Sequence, residues 1–405
     1  MLKIGTDFSG VGSPETALKR LGIEHQVLFA CDIDKYARTS YEALHKPQQM
    51  FEDITTRPTD FSQLDLYVAG FPCQSFSIAG KRKGFECPTN GTLFHTLSEF
   101  IRINQPKCFI LENVKGLVNH DNGRTFQIIK DKLSGSGGSV NDQMFLTDID
   151  GLGYHIHYKV LNTKDFGLPQ NRERIFIVGF KDARQFSFPV GESLTIRLKD
   201  ILQYEVNKKY YLSDKLIKGF QNHKERHTEK GTGFQWSPKN GEDIANCLRA
   251  NASLCPTDNS IIVHSTHTRS TNRPSVQKNK NAGGSGHLSK SDGMSYCLDS
   301  KNSQAVEWVA DYRNDEGLRK RKDKIVPCLT KRRHSESDIS SMPPIIKQNK
   351  IRRLTPLECF RLQGFTDEEH NICQQVQSDT QLYKQMGNTI SVSVIQAILK
   401  NIYNA

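Results

Sequence analysis

The chain has 405 residues, 36% of them hydrophobic, and a formal net charge of +11. Two domains fit that length, while the lack of any run near ~18 apolar residues and of a basic-then-apolar leader excludes a membrane span and a signal peptide, so a cytoplasmic protein is expected. Ten cysteines without a Cys-x-x-Cys spacing read as reduced thiols and argue against structural zinc, and the basic excess favours a nucleic acid partner, although a solvated basic surface gives the same count.

The first strand is expected over residues 4–8, leading into Asp7-Phe8-Ser9-Gly10-Val11-Gly12-Ser13. Ser13 offers an N-cap, Pro14 suits the first helical position, and Gly22 closes the helix. A second strand over 26–30 precedes Asp32, and helical spacing follows over 36–44. Asp53 lies after another short element. The apolar run 66–69 delivers the turn Gly70-Phe71-Pro72-Cys73-Gln74-Ser75. A helix over 93–103 leads to the run 108–111, which delivers Glu112-Asn113-Val114. A helix over 125–133 is followed by Ser134-Gly135-Ser136-Gly137-Gly138-Ser139, read as a flexible surface loop. Strands are expected over 155–161 and 175–180, the second preceded by Gln170-Asn171-Arg172-Glu173-Arg174. Short apolar strands alternating with helices imply an α/β fold, a mainly parallel and doubly wound sheet that binds ligands at the carboxyl ends of its strands.

Beyond about residue 189 the chain turns polar and basic until about residue 350, with Arg269, Arg273, Lys278, Lys280 and Lys290 in a stretch free of acids. Asn246-Cys247-Leu248, Tyr296-Cys297-Leu298 and Pro327-Cys328-Leu329 form an echo that is either three short strands or coincidence. Basic loops on a small β-rich body suit contacts with a nucleic acid groove. Regular pattern returns with helices over 356–362 and 391–403.

Several side chains carry candidate chemistry. The glycines after the first strand permit a tight turn and close approach of a ligand. Asp32 can hold both hydroxyls of a ribose, and with Asp53 it outlines a nucleoside pocket, or both aspartates cap helices. Cys73 is a nucleophile if a helix N-terminus or arginine raises its thiolate fraction, and otherwise a packing residue. Glu112, if partly dry, stays protonated and can donate to a ring nitrogen, or it is an ordinary surface glutamate, and Asn113 beside it can brace the loop. Arg172 and Arg174 sit at alternate positions and point the same way from an extended segment, each offering a fork to a carbonyl oxygen or phosphate, or they form a charged strand entrance that pairs with Glu173.

In this order the segments closely resemble the DNA (cytosine-5) methyltransferase family, of the bacterial and phage restriction-modification type. Phe8-Ser9-Gly10-Val11-Gly12 is similar to its cofactor loop, Pro72-Cys73-Gln74 to its nucleophile motif, and Glu112-Asn113-Val114 and Gln170–Arg174 to its target-base motifs. Arg353-Leu354-Thr355-Pro356-Leu357-Glu358-Cys359 with Leu362-Gln363-Gly364-Phe365 resembles the segment that organises the recognition domain. Tyr383-Lys384-Gln385-Met386-Gly387-Asn388-Thr389 resembles the motif that returns to the cofactor pocket. Ser13 departs from a frequent second glycine, and Asn90 from a frequent arginine.

The resemblance implies a Rossmann-like S-adenosylmethionine-dependent methyltransferase sheet over 1–188, completed by 380–405. It also implies a smaller, irregular β-rich target recognition domain over 189–379 that includes an organising segment at 351–366. Cys73 would attack C6 of a cytosine flipped out of double-stranded DNA, Glu112 would serve N3, Arg174 would hold O2, and Arg172 a phosphate or the same oxygen. Phe8, Ser9, Gly10, Gly12, Asp32, Ile33, Asp53, Ile54, Pro72, Asn388 and Thr389 would bind S-adenosylmethionine. Gln74, Ser75, Lys81, Arg82, Lys83 and Asn113 would meet DNA, within a mobile loop over 74–94 for all but the last. A monomer is expected, associated with the nucleoid through DNA, sharing its site with a restriction endonuclease without stable binding.

Overall fold

The computed structural model describes residues 1–61, 64–72, 90–135, 138–141, 143–144, 150–229, 231, 236–250, 255, 258–263, 310–313, 317–320 and 350–404; at 90–92, 143–144, 310–313 and 317–320 it describes the backbone alone. Strand β1 (Leu2–Asp7) is followed by helix α1 (Ser13–Arg20), β2 (His25–Cys31), α2 (Lys35–Leu44), β3 (Gln49–Phe51) and β4 (Leu66–Gly70). Helix α3 (Asn90–Asn104), β5 (Cys108–Val114) and α4 (Arg124–Leu133) come next. The short strands β6 (Ser139–Val140) and β7 (Gln143–Met144) then precede β8 (His155–Asn162), β9 (Gln170–Asn171) and β10 (Glu173–Phe180).

Nine of these strands form one sheet in the order β3-β2-β1-β4-β5-β10-β8-β6-β7. From β3 to β5 every pairing is parallel, and β10 runs antiparallel between β5 and β8. The expected α/β doubly wound sheet is therefore present with a reversed strand inserted. Its central strands are apolar on both faces because both faces are covered. Val68, Ile110 and Val178 face one core, while Tyr67, Leu111 and Ile177 face the other. Full burial of each such side chain contributes about 1.5–3 kcal/mol.

The first core also takes in the C-terminal helices. These are α6 (Pro356–Gln363), α7 (Asp367–Val376), α8 (Asp379–Asn388) and α9 (Val392–Tyr403), preceded in the chain by α5 (Asp214–Glu229) and five short strands. Those strands are β11 (Ala245–Asn246), β12 (Ser260–Val263), β13 (Ala310–Arg313), β14 (Gly317–Lys320) and β15 (Lys350–Arg353). Helix α9 buries Val392, Ile395, Leu399 and Ile402, a helical spacing, and packs against α1. At α6, Thr355 and Glu358 form a capping box, and Glu358 also holds the buried Arg352 through two hydrogen bonds of 2.7 and 2.8 Å.

Three local expectations are corrected, and one helix is added. Ser13 does not cap α1; Gly12 does, in the left-handed region at φ 80°. The Gly/Ser stretch is no exposed loop where described, since Ser134 and Ser139 are buried and Gly138 has no room for a Cβ beside the Tyr154 carbonyl. Residues 90–94 of the expected mobile loop open α3, and 74–89 lie outside the described residues. Helix α5 was not foreseen in the polar region, because its residues bury only Phe220 and give little apolar periodicity. Of the cysteine echo, the first segment adjoins β11, and the other two lie outside the described residues.

Gly12 has a double constraint: its positive φ, and a His45 ring atom 2.3 Å from where a Cβ would stand. Gly12→Ala is expected to cost about 1–2 kcal/mol from the backbone conformation alone. A shifted chemical denaturation midpoint checks it.

Candidate active site

The carboxyl ends of β1 and β2 are laced together through the glycine loop. The backbone N–H and hydroxyl of Ser9 both donate to the Cys31 carbonyl, at 3.1 and 3.0 Å. The Gly10 N–H donates to Asp32 Oδ2 at 2.8 Å, and the Asp34 N–H to Oδ1 at 2.9 Å. Burial pushes the Asp32 carboxyl up, and the two N–H donors partly offset this. Next to it Ile33 is 79% exposed, an apolar side chain held in the open at a strand end. Phe8 is half-buried, with a left-handed backbone at φ 53°. Asp53 accepts from the N–H and hydroxyl of Thr55, and Ile54 is buried beside it.

Beneath this loop lies a buried ion pair. Arg57 donates to Asp7 through both Nε and Nη2, and the Tyr67 hydroxyl donates to the same carboxylate. The guanidinium lies 4.9 Å from the Phe29 ring centroid and 3.9 Å from that of Phe100. Since the Arg57 N–H donates to the Asp53 carbonyl, the pair joins the end of β1 to the 53–57 turn.

The return segment closes on the other side. The Thr389 hydroxyl shares a 2.9 Å hydrogen bond with that of Ser13, which also donates to the Ile390 carbonyl at 2.7 Å. Thr389 is thus buried against the start of α1, while Asn388 is exposed.

The candidate catalytic side stands at the carboxyl ends of β4 and β5 and the start of β10. Gly70 is the register partner of Glu112, and a Cβ on Gly70 would lie 3.5 Å from Glu112 Oε2. Glu112 is 8% exposed, and Arg174 Nε is 3.1 Å from its Oε1. Burial pushes the Glu112 carboxyl up, against the pull of Arg174 and then Arg172. Of the two expectations for Asn113, the geometry matches the brace: it is buried, donates to the Phe71 carbonyl at 3.2 Å and accepts from the Val114 N–H at 2.8 Å. It braces the chain just before Pro72. Cys73, Gln74, Ser75, Lys81, Arg82 and Lys83 lie outside the described residues.

Arg172 differs from its expected place on a phosphate or base oxygen. Its guanidinium is buried and donates to the carbonyls of Thr389 at 2.8 Å, Gly387 at 3.2 Å and Leu248 at 3.4 Å. Arg172 Nη1 also lies 3.3 Å, and Arg174 Nη2 3.8 Å, from the sulfur of Cys247. Gln170, fully buried, donates to the Leu362 carbonyl at 2.8 Å and accepts from the Leu248 N–H at 3.1 Å. The motif 170–174 is therefore a junction between sheet, C-terminal helices and the segment 245–248.

Ser13, Arg57, Gln170 and Cys247 were not singled out as site residues. Their partners lie far off in the chain, and no spacing rule reports them. For Cys247 the only signal was the weak echo.

The ensemble combines a carboxyl pushed toward its protonated form, a guanidinium beside it, and, at the ends of β1 and β2, exposed apolar surface next to the Asp32 carboxylate. A family model described as C-5 cytosine-specific DNA methylase matches residues 4–404. The orphan methyltransferase M.SPRI of Bacillus phage SPR is 32% identical over 99% of this chain and 97% of its own length. The type II methyltransferase M.HpaII of Haemophilus parainfluenzae is 33% identical over 98% and 87%. The solved Dnmt2 methyltransferase of S. pombe aligns over 99% of this chain and 97% of its own with a TM-score of 0.59; at 14% identity this likeness concerns the fold alone. Among the described residues, no helix is long and apolar enough to cross a membrane.

Proposed function

Because the chain belongs to the C-5 cytosine-specific DNA methylase family and is a DNA cytosine-5 methyltransferase, we propose that it methylates a cytosine extruded from duplex DNA, through a covalent bond from Cys73 to C6. The observation that carries this reading is the buried Glu112–Arg174 pair beside Gly70, three residues before Cys73.

C5 of cytosine is a poor nucleophile within its aromatic ring. Attack by the Cys73 thiolate on C6 breaks the ring's conjugation and moves electron density to C5 and N3. Protonated Glu112 donates to N3, and Arg174 holds O2, so the negative charge that develops is met by fixed donors. Arg172, committed to carbonyls, keeps Arg174 and the return segment in register. Once C5 has taken up a methyl group, loss of the C5 proton and expulsion of the sulfur restore the ring. Extrusion of the base costs a few kcal/mol in stacking. Lys81, Arg82 and Lys83 suit contact with the DNA backbone.

The residues at the strand ends fit S-adenosylmethionine. Exposed Ile33 and half-buried Phe8 offer apolar surface to an adenine, and Asp32 still has lone pairs for ribose hydroxyls. Asp53 and Ile54 would meet the adenine edge, and Asn388 the methionine end, while Ser9, Gly10, Gly12, Pro72 and Thr389 shape the walls. When bound, the cofactor supplies a methyl group on an electron-poor sulfonium. Asp32→Ala is expected to weaken S-adenosylmethionine binding about 10- to 100-fold, the worth of hydrogen bonds to a charged group. Equilibrium binding without DNA measures it.

Residues 189–379 form the recognition unit, the protein works as a monomer in the cytoplasm, and it protects a site that a restriction endonuclease cuts without binding the methyltransferase stably. The names of type II relatives support the last point.

The test is trapping on duplex DNA with 5-fluorocytosine at the target, mapped beforehand by bisulfite sequencing. A denaturation-resistant adduct that forms only with S-adenosylmethionine is expected. Methyl transfer to tRNA alone, or transfer to DNA with no adduct, overturns the reading.

A further inference from the structure

Cys247 lies outside the motif that supplies the arginines, yet its sulfur is in contact with both. Its contacts are 3.3 Å to Arg172 Nη1 and 3.8 Å to Arg174 Nη2. The placement is built. Residues 245 and 246 pair in parallel with Gln170 and Asn171, which brings position 247 level with Arg172. The Leu248 N–H is held by Gln170, and the Leu248 carbonyl accepts from Arg172. The segment thus enters the catalytic side as a third wall beside β9 and β10.

We propose that Cys247 is a positioning residue for the methyl-transfer reaction: its sulfur accepts from both guanidiniums and fixes Arg174 against Glu112. This rests on the reading of the site as a methyltransferase active site.

Two cations so close repel each other unless an anion or strong acceptor stands between them. Glu112 binds Arg174 from one side at 3.1 Å, and at Arg172 the partners besides Cys247 are neutral carbonyls. Sulfur supplies a further acceptor, a weak one, while its own S–H donates to the Leu248 carbonyl at 3.5 Å. The charged groups acting on it are Arg172 and Arg174, and they bring the thiol below its ordinary value although burial opposes them. At Cys31, Cys108, Cys359 and Cys373 burial outweighs any nearby arginine, and all four thiols are pushed up. Arg172 Nε finds no partner among the described residues, so loss of the sulfur would leave a buried guanidinium less satisfied still.

The experiment has two arms on the full-length protein. In the first, Cys247→Ala, Cys247→Ser and wild type are compared in steady-state methylation of duplex DNA. Misplacing Arg174 should lower kcat about 10- to 100-fold in the alanine variant. The KM for S-adenosylmethionine should stay within about twofold, because that pocket lies at other strand ends. Serine, which keeps an acceptor in a shorter side chain, should recover part of the loss. An alanine variant with wild-type kcat overturns the proposal, as does an equal loss in both variants that tracks a fall in melting temperature.

The second arm does not depend on activity. Iodoacetamide labelling at pH 7, mapped by mass spectrometry, should modify Cys247 while buried Cys359 stays protected as a check on folding. Arg174→Gln should slow the labelling of Cys247 about tenfold by removing one nearby cation. An unchanged rate, with Cys359 still protected, overturns the proposal. A failed trapping experiment with positive labelling would refute the adduct and leave the sulfur–arginine contact standing.

Discussion

Cys73→Ser is expected to reduce methyl transfer to duplex DNA by on the order of 10³-fold or more, the scale on which enzymes lose a nucleophile. A thiol near neutrality is a few per cent thiolate and intrinsically reactive, whereas a serine hydroxyl is neither ionised nor soft enough to add to C6. The scaffold around position 73 depends on Asn113 holding the Phe71 carbonyl and on the pairing of Gly70 with Glu112, neither of which involves the sulfur. Binding of DNA and of S-adenosylmethionine should therefore survive. Single-turnover incorporation of tritiated methyl, beside equilibrium binding, separates the two. Equal incorporation by both proteins would remove Cys73 from the reaction.

The second large effect falls on Glu112. Glu112→Gln should lower kcat about 10²- to 10⁴-fold, the usual range for removal of a general acid. Glutamine keeps the shape and one donor but cannot deliver a proton. Because burial raises the Glu112 carboxyl, the protonated form persists to higher pH than for an exposed glutamate. Activity should accordingly fall as pH rises through that raised value, and the glutamine variant should lose this limb of the profile. A pH series of kcat with both proteins checks the sign. An identical alkaline limb in the variant would assign it to another group.

Strand and helix positions in the first 180 residues were legible because apolar runs and helical spacing are local. Expected strands at 4–8, 66–69 and 108–111 are observed as Leu2–Asp7, Leu66–Gly70 and Cys108–Val114. The direction of β10 was not legible, since a buried strand reads alike whether parallel or antiparallel. Expectations about single side chains failed where a distant segment competed. Ser13 could cap its own helix, but its hydroxyl is engaged 376 residues away by Thr389. Arg172 had every property of a phosphate ligand, and carbonyls at 387 and 389 claim it instead. Asn113 was placed on DNA by the resemblance and on the loop by its own position, and its amide holds the Phe71 carbonyl. In each case the deciding partner is set by tertiary packing, which residue type and spacing do not encode.

The dependence of the β1 loop and Arg172 on Thr389 has a consequence for synthesis. Translation proceeds at roughly 5–20 residues per second, so on the order of 10–45 seconds separate completion of the sheet from arrival of that threonine. During that interval a nascent chain lacks the contacts that Thr389 gives Ser13 and Arg172. A ribosome-bound polypeptide stalled before codon 389 should thus leave chromosomal cytosines unmodified, however complete its N-terminal half.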